Sequence, residues 1–347
     1  MRSLLKSAAG ITCLLALAAT GCSSGSGAAS DEDSAAPRTS AAGAAAPTAP
    51  SSGGSSTSYA PYVSATSASG TDSAGSPTTY NLAFVISDGS GCTPKWNGDD
   101  AIGDPAVTSR IQALKKSGAT VRVSFGGASG KELAAVCGSE SALAAAYGRA
   151  LDAAGSTQAD FDVEGDALGD AASVALRSRA IARLQKERPG LEVSFTLPVM
   201  PDGLDPDGLA LLASANQYDV QVSTVDIMTM NYGESYTGDM GGYAVTAAKA
   251  AHAQLKKVFG LSDAAAWRGM ALTSMIGAND IAGETLTLAD AAQVRSFAEG
   301  RGVAWVSMWA TFRDRQCAKG TPGREDAATD CSGVTQEQGA FARAFAG

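Results

Sequence analysis

The stretch "QADFDVEG", Gln158 to Gly165, decides how the rest of the chain is read. Asp160, Asp162 and Glu164 stand at every second position, and Phe161 and Val163 fill the gaps. Side chains of a β-strand alternate between faces, so the three acids share one side, neighbours roughly 7 Å apart. If Phe161 and Val163 face a packed layer, the acids face water, a metal or the inside of a barrel.

The surrounding pattern chooses between these. Strands are expected at "YAPYVS" (59–64), "YNLAFVIS" (80–87), "VRVSFGG" (121–127), "QADFDVEG" (158–165), "LEVSFTLP" (191–198), "VDIMTMNYG" (225–233), "RGMALTSMIG" (268–277) and "VAWVSMWA" (303–310). They are short β-branched or apolar runs, most of them closed by Gly, Pro or Ser. Between most of them the apolar period becomes helical, as at Leu143, Tyr147, Ala150 and Leu151. Arg177 to Arg188, Val245 to Phe259 and Leu288 to Glu299 repeat it, with Pro189, Gly190, Gly300 and Gly302 as stops. Alternating strand and helix implies a parallel sheet with helical crossovers. Eight repeats favour an α/β fold closed into a (β/α)8 TIM barrel, and no Gly-x-Gly-x-x-Gly follows the first strand to suggest an open dinucleotide-binding sheet. A barrel of this kind carries its active site at the C-terminal ends of the strands, where the three acids fall.

The N-terminus reads as a leader. Arg2 and Lys6 precede an apolar run, Ile11 to Ala19, that ends in "LAATGC". The layout resembles a bacterial lipoprotein signal over 1–21, which implies lipidation of Cys22 and an exported, surface-anchored chain, retained or shed. Residues 22–58 are rich in Ala, Ser, Gly, Thr and Pro and read as a tether without a core. Residues 59–347 remain for the barrel, expected to act as a monomer.

Cys13 leaves with the leader, so Cys92, Cys137, Cys317 and Cys331 remain to be accounted for. An even number in an exported chain suggests two disulfides. Of the three pairings, Cys92–Cys137 with Cys317–Cys331 is preferred because the last two share one loop; free buried thiols are the alternative. There is no Cys-x-x-Cys and only one histidine, His252, so no zinc site of the usual kind and no cofactor is expected. The formal charge is −9, or −11 without Arg2 and Lys6. This argues against a nucleic acid or an anionic surface as partner and is compatible with a neutral or cationic ligand.

Three like charges in a confined space resist ionising together, so at least one carboxyl should keep its proton near neutral pH. Glu164, outermost and longest, is placed to donate a proton; Asp162 would bond to it, and Asp160, deepest, would tune the pair. A pair of carboxyls suits glycoside hydrolysis. The same spacing suits a Mg²⁺ or Ca²⁺ site, or structural carboxylates bonded to interior hydroxyls. Trp96, in the loop from Gly89 to Pro105, is the candidate for an outer sugar platform, while Trp267 and Trp305 read as core.

"DFDVE" resembles the Asp-x-Asp-x-Glu core of the signature of glycoside hydrolase family 18, the chitinases and their relatives, with secreted actinobacterial chitinases the nearest likeness. Three further motifs match at the ends of the appropriate strands. They are "SFGG" (Ser124 to Gly127, including Gly126), "MNYG" (Met230 to Gly233) and the strand-eight Trp309. The resemblance covers about residues 59–315 and implies retaining, substrate-assisted cleavage of β-1,4-linked N-acetylglucosamine polymers. Glu164 would be acid and then base, Asp162 would stabilise the oxazolinium, and Tyr232 would bond the acetamido oxygen. Trp309 would floor the sugar, with Ser124, Gly126, Gly127 and Met230 as cleft residues. Two positions depart from the family: Thr157 and Gln158 replace the Asp-Gly that opens its longer signature, and Gly233 replaces an aspartate. Residues 278–302 leave no room for an inserted domain, which implies a shallow groove and internal, non-processive cleavage. An endo-β-N-acetylglucosaminidase acting on N-glycans, a tethered sugar-binding protein without catalysis, and a metal-dependent hydrolase are the alternatives.

Overall fold

The computed structural model describes residues 57–318 and 330–347. The expected leader, Cys22 and the tether as far as 56 lie outside the described residues. The last expected tether position, Ser58, already belongs to a strand.

Strand β1 runs in two pieces, Ser58–Tyr59 and Tyr62–Ser64. It is followed by β2 (Thr79–Ser87), β3 (Thr120–Gly126), β4 (Gln158–Asp162) and β5 (Glu192–Pro198). Then come β6 (Val222–Met228), β7 (Met270–Met275) and β8 (Trp305–Trp309). Neighbours pair in parallel and in chain order, and β1 closes the ring, its first piece on β8 and its second on β2. Pro61 lies at the break, where it has no N–H to give and its carbonyl accepts from Asn81 N at 2.9 Å. The eight-fold strand–helix pattern thus closes as a TIM barrel.

The principal helices are α1 (Pro105–Lys115), α2 (Glu140–Ala154), α3 (Ala171–Glu187), α4 (Pro206–Gln217), α5 (Met240–Phe259) and α6 (Leu288–Arg301). Their starts are chemically marked. Asp104 and Asp205 each accept from first-turn amides immediately before a proline at the first helical position. Thr287 and Asp290 form a reciprocal capping box on α6.

The question raised by Phe161 is settled by the layer outside the barrel. Phe125 on β3 and Phe161 on β4 stack with ring centroids 5.3 Å apart, and Tyr147 of α2 meets Phe161 edge-on at 5.0 Å. All three rings are fully buried, each worth about 2 kcal/mol or more of hydrophobic burial. The aromatic face therefore looks outward to the helices and the acids look inward.

Both expected disulfides are present, Cys92–Cys137 and Cys317–Cys331. Cys92–Cys137 ties the loop after β2 to the one before α2 across a sequence separation of 45. Closing a loop of that length removes about 4 kcal/mol of denatured-state entropy. Replacing both cysteines by serine is expected to lower unfolding stability by about that amount; coincident urea midpoints for the two proteins would contradict it.

Trp96 is a correction. The loop after β2 folds back as Pro94–Trp96, antiparallel to β2 and followed by a second short strand, Asp100–Ala101. This carries the Trp96 ring into the core at 0 % exposure, where its indole N–H donates to Ile102 O at 3.3 Å. It cannot serve as a sugar platform.

Candidate functional site

Asp160 is the foundation of the site. Its Oδ2 accepts from Ser124 Oγ at 2.6 Å and the Tyr62 hydroxyl at 3.0 Å. Its Oδ1 accepts from Ser194 Oγ at 2.7 Å and Thr196 Oγ1 at 2.9 Å. These donors come from β1, β3 and β5, and together they occupy both oxygens of the carboxyl. Ser124 thus positions Asp160 and does not reach the cavity, a correction to its expected place among the cleft residues.

One layer higher, Asp162 is buried and its Oδ1 accepts no hydrogen bond from the protein. Its carboxyl is pushed well above the usual range, first by burial, then by the charges of Glu164, Asp160 and Asp226. Glu164, two residues past the end of β4, is raised to about 7, first by burial and then by the charge of Asp280. A hydrogen bond between the two carboxyls raises Asp162 and lowers Glu164, so the pair retains a proton to near neutrality.

Asp162 and Glu164 open into a cavity of about 260 Å³ at the C-terminal ends of the strands. Its floor carries the hydroxyls of Tyr62, Thr196 and Thr273. One side is aromatic: Phe84 and Trp309 stack at 5.4 Å with planes 15° apart. Met200, Met228, Met230 and Met275, four of the chain's eight methionines, line the cavity as well. Asn231 and Asp280 also line it, Asn231 Nδ2 donating to Asp280 Oδ2 at 2.9 Å and Asp280 N donating back to Asn231 Oδ1 at 3.0 Å. Among the described residues no group of three or more His, Cys, Asp or Glu is arranged to hold a metal ion.

Gly126 and Gly127 act through backbone approach. Both have positive φ, and Gly127 N donates to Asp162 O at 3.0 Å. A Cβ on Gly126 would collide with Asp162 O, and one on Gly127 would lie 2.8 Å from the Phe84 ring. Neither glycine lines the cavity; the neighbouring Ala128 does. The pair seats Phe84 and the acid strand, in place of the direct cleft role expected of it.

Tyr232 is the larger correction. Alternation from Met228 and Met230 puts Tyr232 on the inner face, but β6 ends at Met228 and Asn231 takes a φ of 55°. That residue breaks the period of two and itself faces the cavity. Tyr232, 4 % exposed, packs instead among Tyr236 and Tyr243. The turn is held by Glu284, whose Oε1 accepts from Gly233 N at 2.7 Å. Phe84, Asp280, Thr273 and Asp226 stand in no motif or spacing that marks them in the sequence, since each acquires its place from a contact with another strand or loop.

No protein-family model matches the chain. A probable bifunctional chitinase/lysozyme of Escherichia coli (strain K12) is 33% identical over 310 residues, covering 83% of this chain and 34% of that protein. Endochitinase 11 of Metarhizium anisopliae is 33% identical over 254 residues, covering 69% of this chain and 48% of that protein. The chain therefore spans less than half the length of either curated relative. Among solved structures, active domain 2 of a thermostable chitinase from Pyrococcus furiosus, a catalytic-site mutant complexed with chito-oligosaccharides, superposes with a TM-score of 0.73 at 27% identity. That match covers 83% of this chain and 92% of the other. A family 18 chitinase from Pseudoalteromonas aurantia, at 14% identity and TM-score 0.52 over 73% of this chain and 94% of its own, shares the fold.

Proposed function

We infer that this chain, a chitinase-like member of glycoside hydrolase family 18, cuts β-1,4-linked N-acetylglucosamine polymers internally, with retention and substrate assistance. The observation that carries the proposal is the stacked acid column. Asp160, held by four hydroxyls, lies under the proton-sharing pair Asp162 and Glu164, which opens beside the Trp309–Phe84 stack. In the proposed reaction Glu164 protonates the glycosidic oxygen while the sugar's own acetamido oxygen attacks the anomeric carbon. Asp162 stabilises the oxazolinium that forms, and Glu164 then deprotonates the incoming water. Trp309 gives the distorted ring an apolar face. Because Tyr232 is turned away, the acetamido side of the cavity is left to Met230, Asn231, Asp280 and Thr273.

Internal, non-processive action is supported by the β7–β8 connection, which contains only the hairpin Gly277–Ala278/Thr285–Leu286 and α6. Nothing there builds a wall along the groove. The leader layout and Cys22 support export and attachment through a lipid.

Release of a fluorophore from chitobiose and chitotriose conjugates, with anomer analysis of the first products, tests the reading. Products of inverted configuration, or cleavage confined to the chitobiose core of a glycoprotein, would replace it. The charge of Asp280 supplies a separate check. Glu164 must be protonated to act, so activity falls as pH rises through its pKa, and removing a charge that raises this value brings the fall to lower pH. Asp280→Asn is therefore expected to shift the alkaline limb of kcat/KM downward; a limb that stays in place would remove Asp280 from the electrostatics of the acid.

A further inference from the structure

A second buried carboxylate lies beneath the cavity and has no part in the reaction as described. Asp226 on β6 is 1 % exposed, and strand register places Asp162, Thr196 and Asp226 side by side across β4, β5 and β6. Its Oδ2 accepts from Thr273 Oγ1 at 2.7 Å and from the Trp305 indole N–H at 3.2 Å, while its Oδ1 accepts nothing from the protein. The ring of Trp305 carries the buried guanidinium of Arg122 at 4.0 Å from its centroid, and Arg122 Nη1 donates to Asn81 Oδ1 at 2.7 Å. An unbroken chain of contacts thus leads from Arg122 on β3 through Trp305 and Asp226 to Thr273, whose side chain lines the cavity.

The groups bearing on Asp226 are few. Asp160 and Asp162 of β4, the Tyr62 hydroxyl of β1 and Arg122 share its electrostatic surroundings, and Glu192 bears on Arg122 from the start of β5. Burial and the charge of Asp160 raise Asp226 to about 7, while Thr273, Trp305 and Arg122 pull the other way. A guanidinium keeps its charge under these conditions, so Arg122 is a fixed cation beneath the titrating acids.

Resting on the glycosidase reading above, we propose that Asp226 is a positioning residue, orienting the Thr273 hydroxyl at the cavity floor and, with Arg122, setting the charge beneath Asp162. When Asp226 is ionised, Thr273 donates its proton downward and shows the cavity only lone pairs. When Asp226 is protonated it can donate to Thr273, whose own proton then turns toward the substrate. The floor changes from acceptor to donor with one proton.

The test is the pH profile of kcat/KM on the chitotriose conjugate for the unsubstituted chain, Asp226→Asn, Arg122→Gln and the double variant. Two strand spacings separate Asp226 from Asp162, roughly 10 Å, at which a unit charge is worth about one pK unit at an effective dielectric constant near 20. Asp226 is itself only partly ionised where the limb falls. Asp162 and Glu164 share one proton, so a change at Asp162 reaches the limb of the pair, and Asp226→Asn is expected to lower it by about half a pH unit. Arg122→Gln should raise it, and the double variant should return it close to its starting position. Thr273→Val should raise KM several-fold, and Thr273→Ser, which keeps the hydroxyl donor to Asp226, should restore KM and leave the limb in place. General damage to the barrel would lower kcat without opposite limb shifts. Should Arg122→Gln fail to fold, the contrast between Asp226→Asn and Thr273→Ser still decides. An unmoved limb in a folded Asp226→Asn overturns the proposal alone, whereas an unsubstituted chain inactive from pH 4 to 8 overturns the glycosidase reading as well.

Discussion

Glu164→Gln is expected to lower kcat on chitin oligomers by about a thousandfold while leaving their affinity within about twofold. The loss falls within the range of roughly 10²–10⁴ attributed to a positioned general acid. The carboxamide retains the size and polarity of Glu164 and lacks the titrating proton, so binding and chemistry separate cleanly. Burial and Asp280 hold this proton near neutrality, and the substitution removes it without touching Asp160 or its four hydroxyl donors. Calorimetric titration with a chito-oligosaccharide, set beside fluorophore release, gives both quantities. Turnover within tenfold of the unsubstituted protein would end the assignment of Glu164 as the acid.

Asp162→Asn should be nearly as damaging, with kcat reduced by about a hundredfold or more and KM little changed. An interaction made only in the transition state lowers kcat and kcat/KM together. Asp162 would have that character in the proposed reaction: its Oδ1 has no partner within the protein and its carboxyl lines the cavity, so its negative charge would become useful as positive charge develops on the acetamido group. Steady-state kinetics on the same conjugates measures the split. A rise in KM at constant kcat would mean that Asp162 merely grips the substrate.

Much of the architecture could be read from spacing because the physics there is local. A period of two at Asp160, Asp162 and Glu164, and periods near 3.6 in the helices, express directly which face is buried. The expected helices do not include α1 and α4, although Asp104–Pro105 and Asp205–Pro206 mark their starts. The corrections fall where alternation stops or distant segments meet. Asn231, with its positive φ, exchanges the faces of Asn231 and Tyr232, and no count along the strand reveals this. Trp96 enters the core because its loop forms a strand against β2, which sets Trp96 opposite Val85. Asp226 sits in plain view within "VDIMTMNYG", yet its meaning comes from Thr273, Trp305 and Arg122 on three other strands.

The four methionines around the cavity set a chemical exposure that the acids do not share. Thioethers are polarisable and flexible, so Met200, Met228, Met230 and Met275 can follow the contour of a distorting sugar better than branched side chains. The same atoms are oxidised by peroxide to sulfoxides, which are polar and bulkier. An oxidant entering this cavity would therefore roughen and wet the surface on which the sugar bends in the proposed reaction, leaving the carboxyls intact and their proton with nothing well placed to receive it.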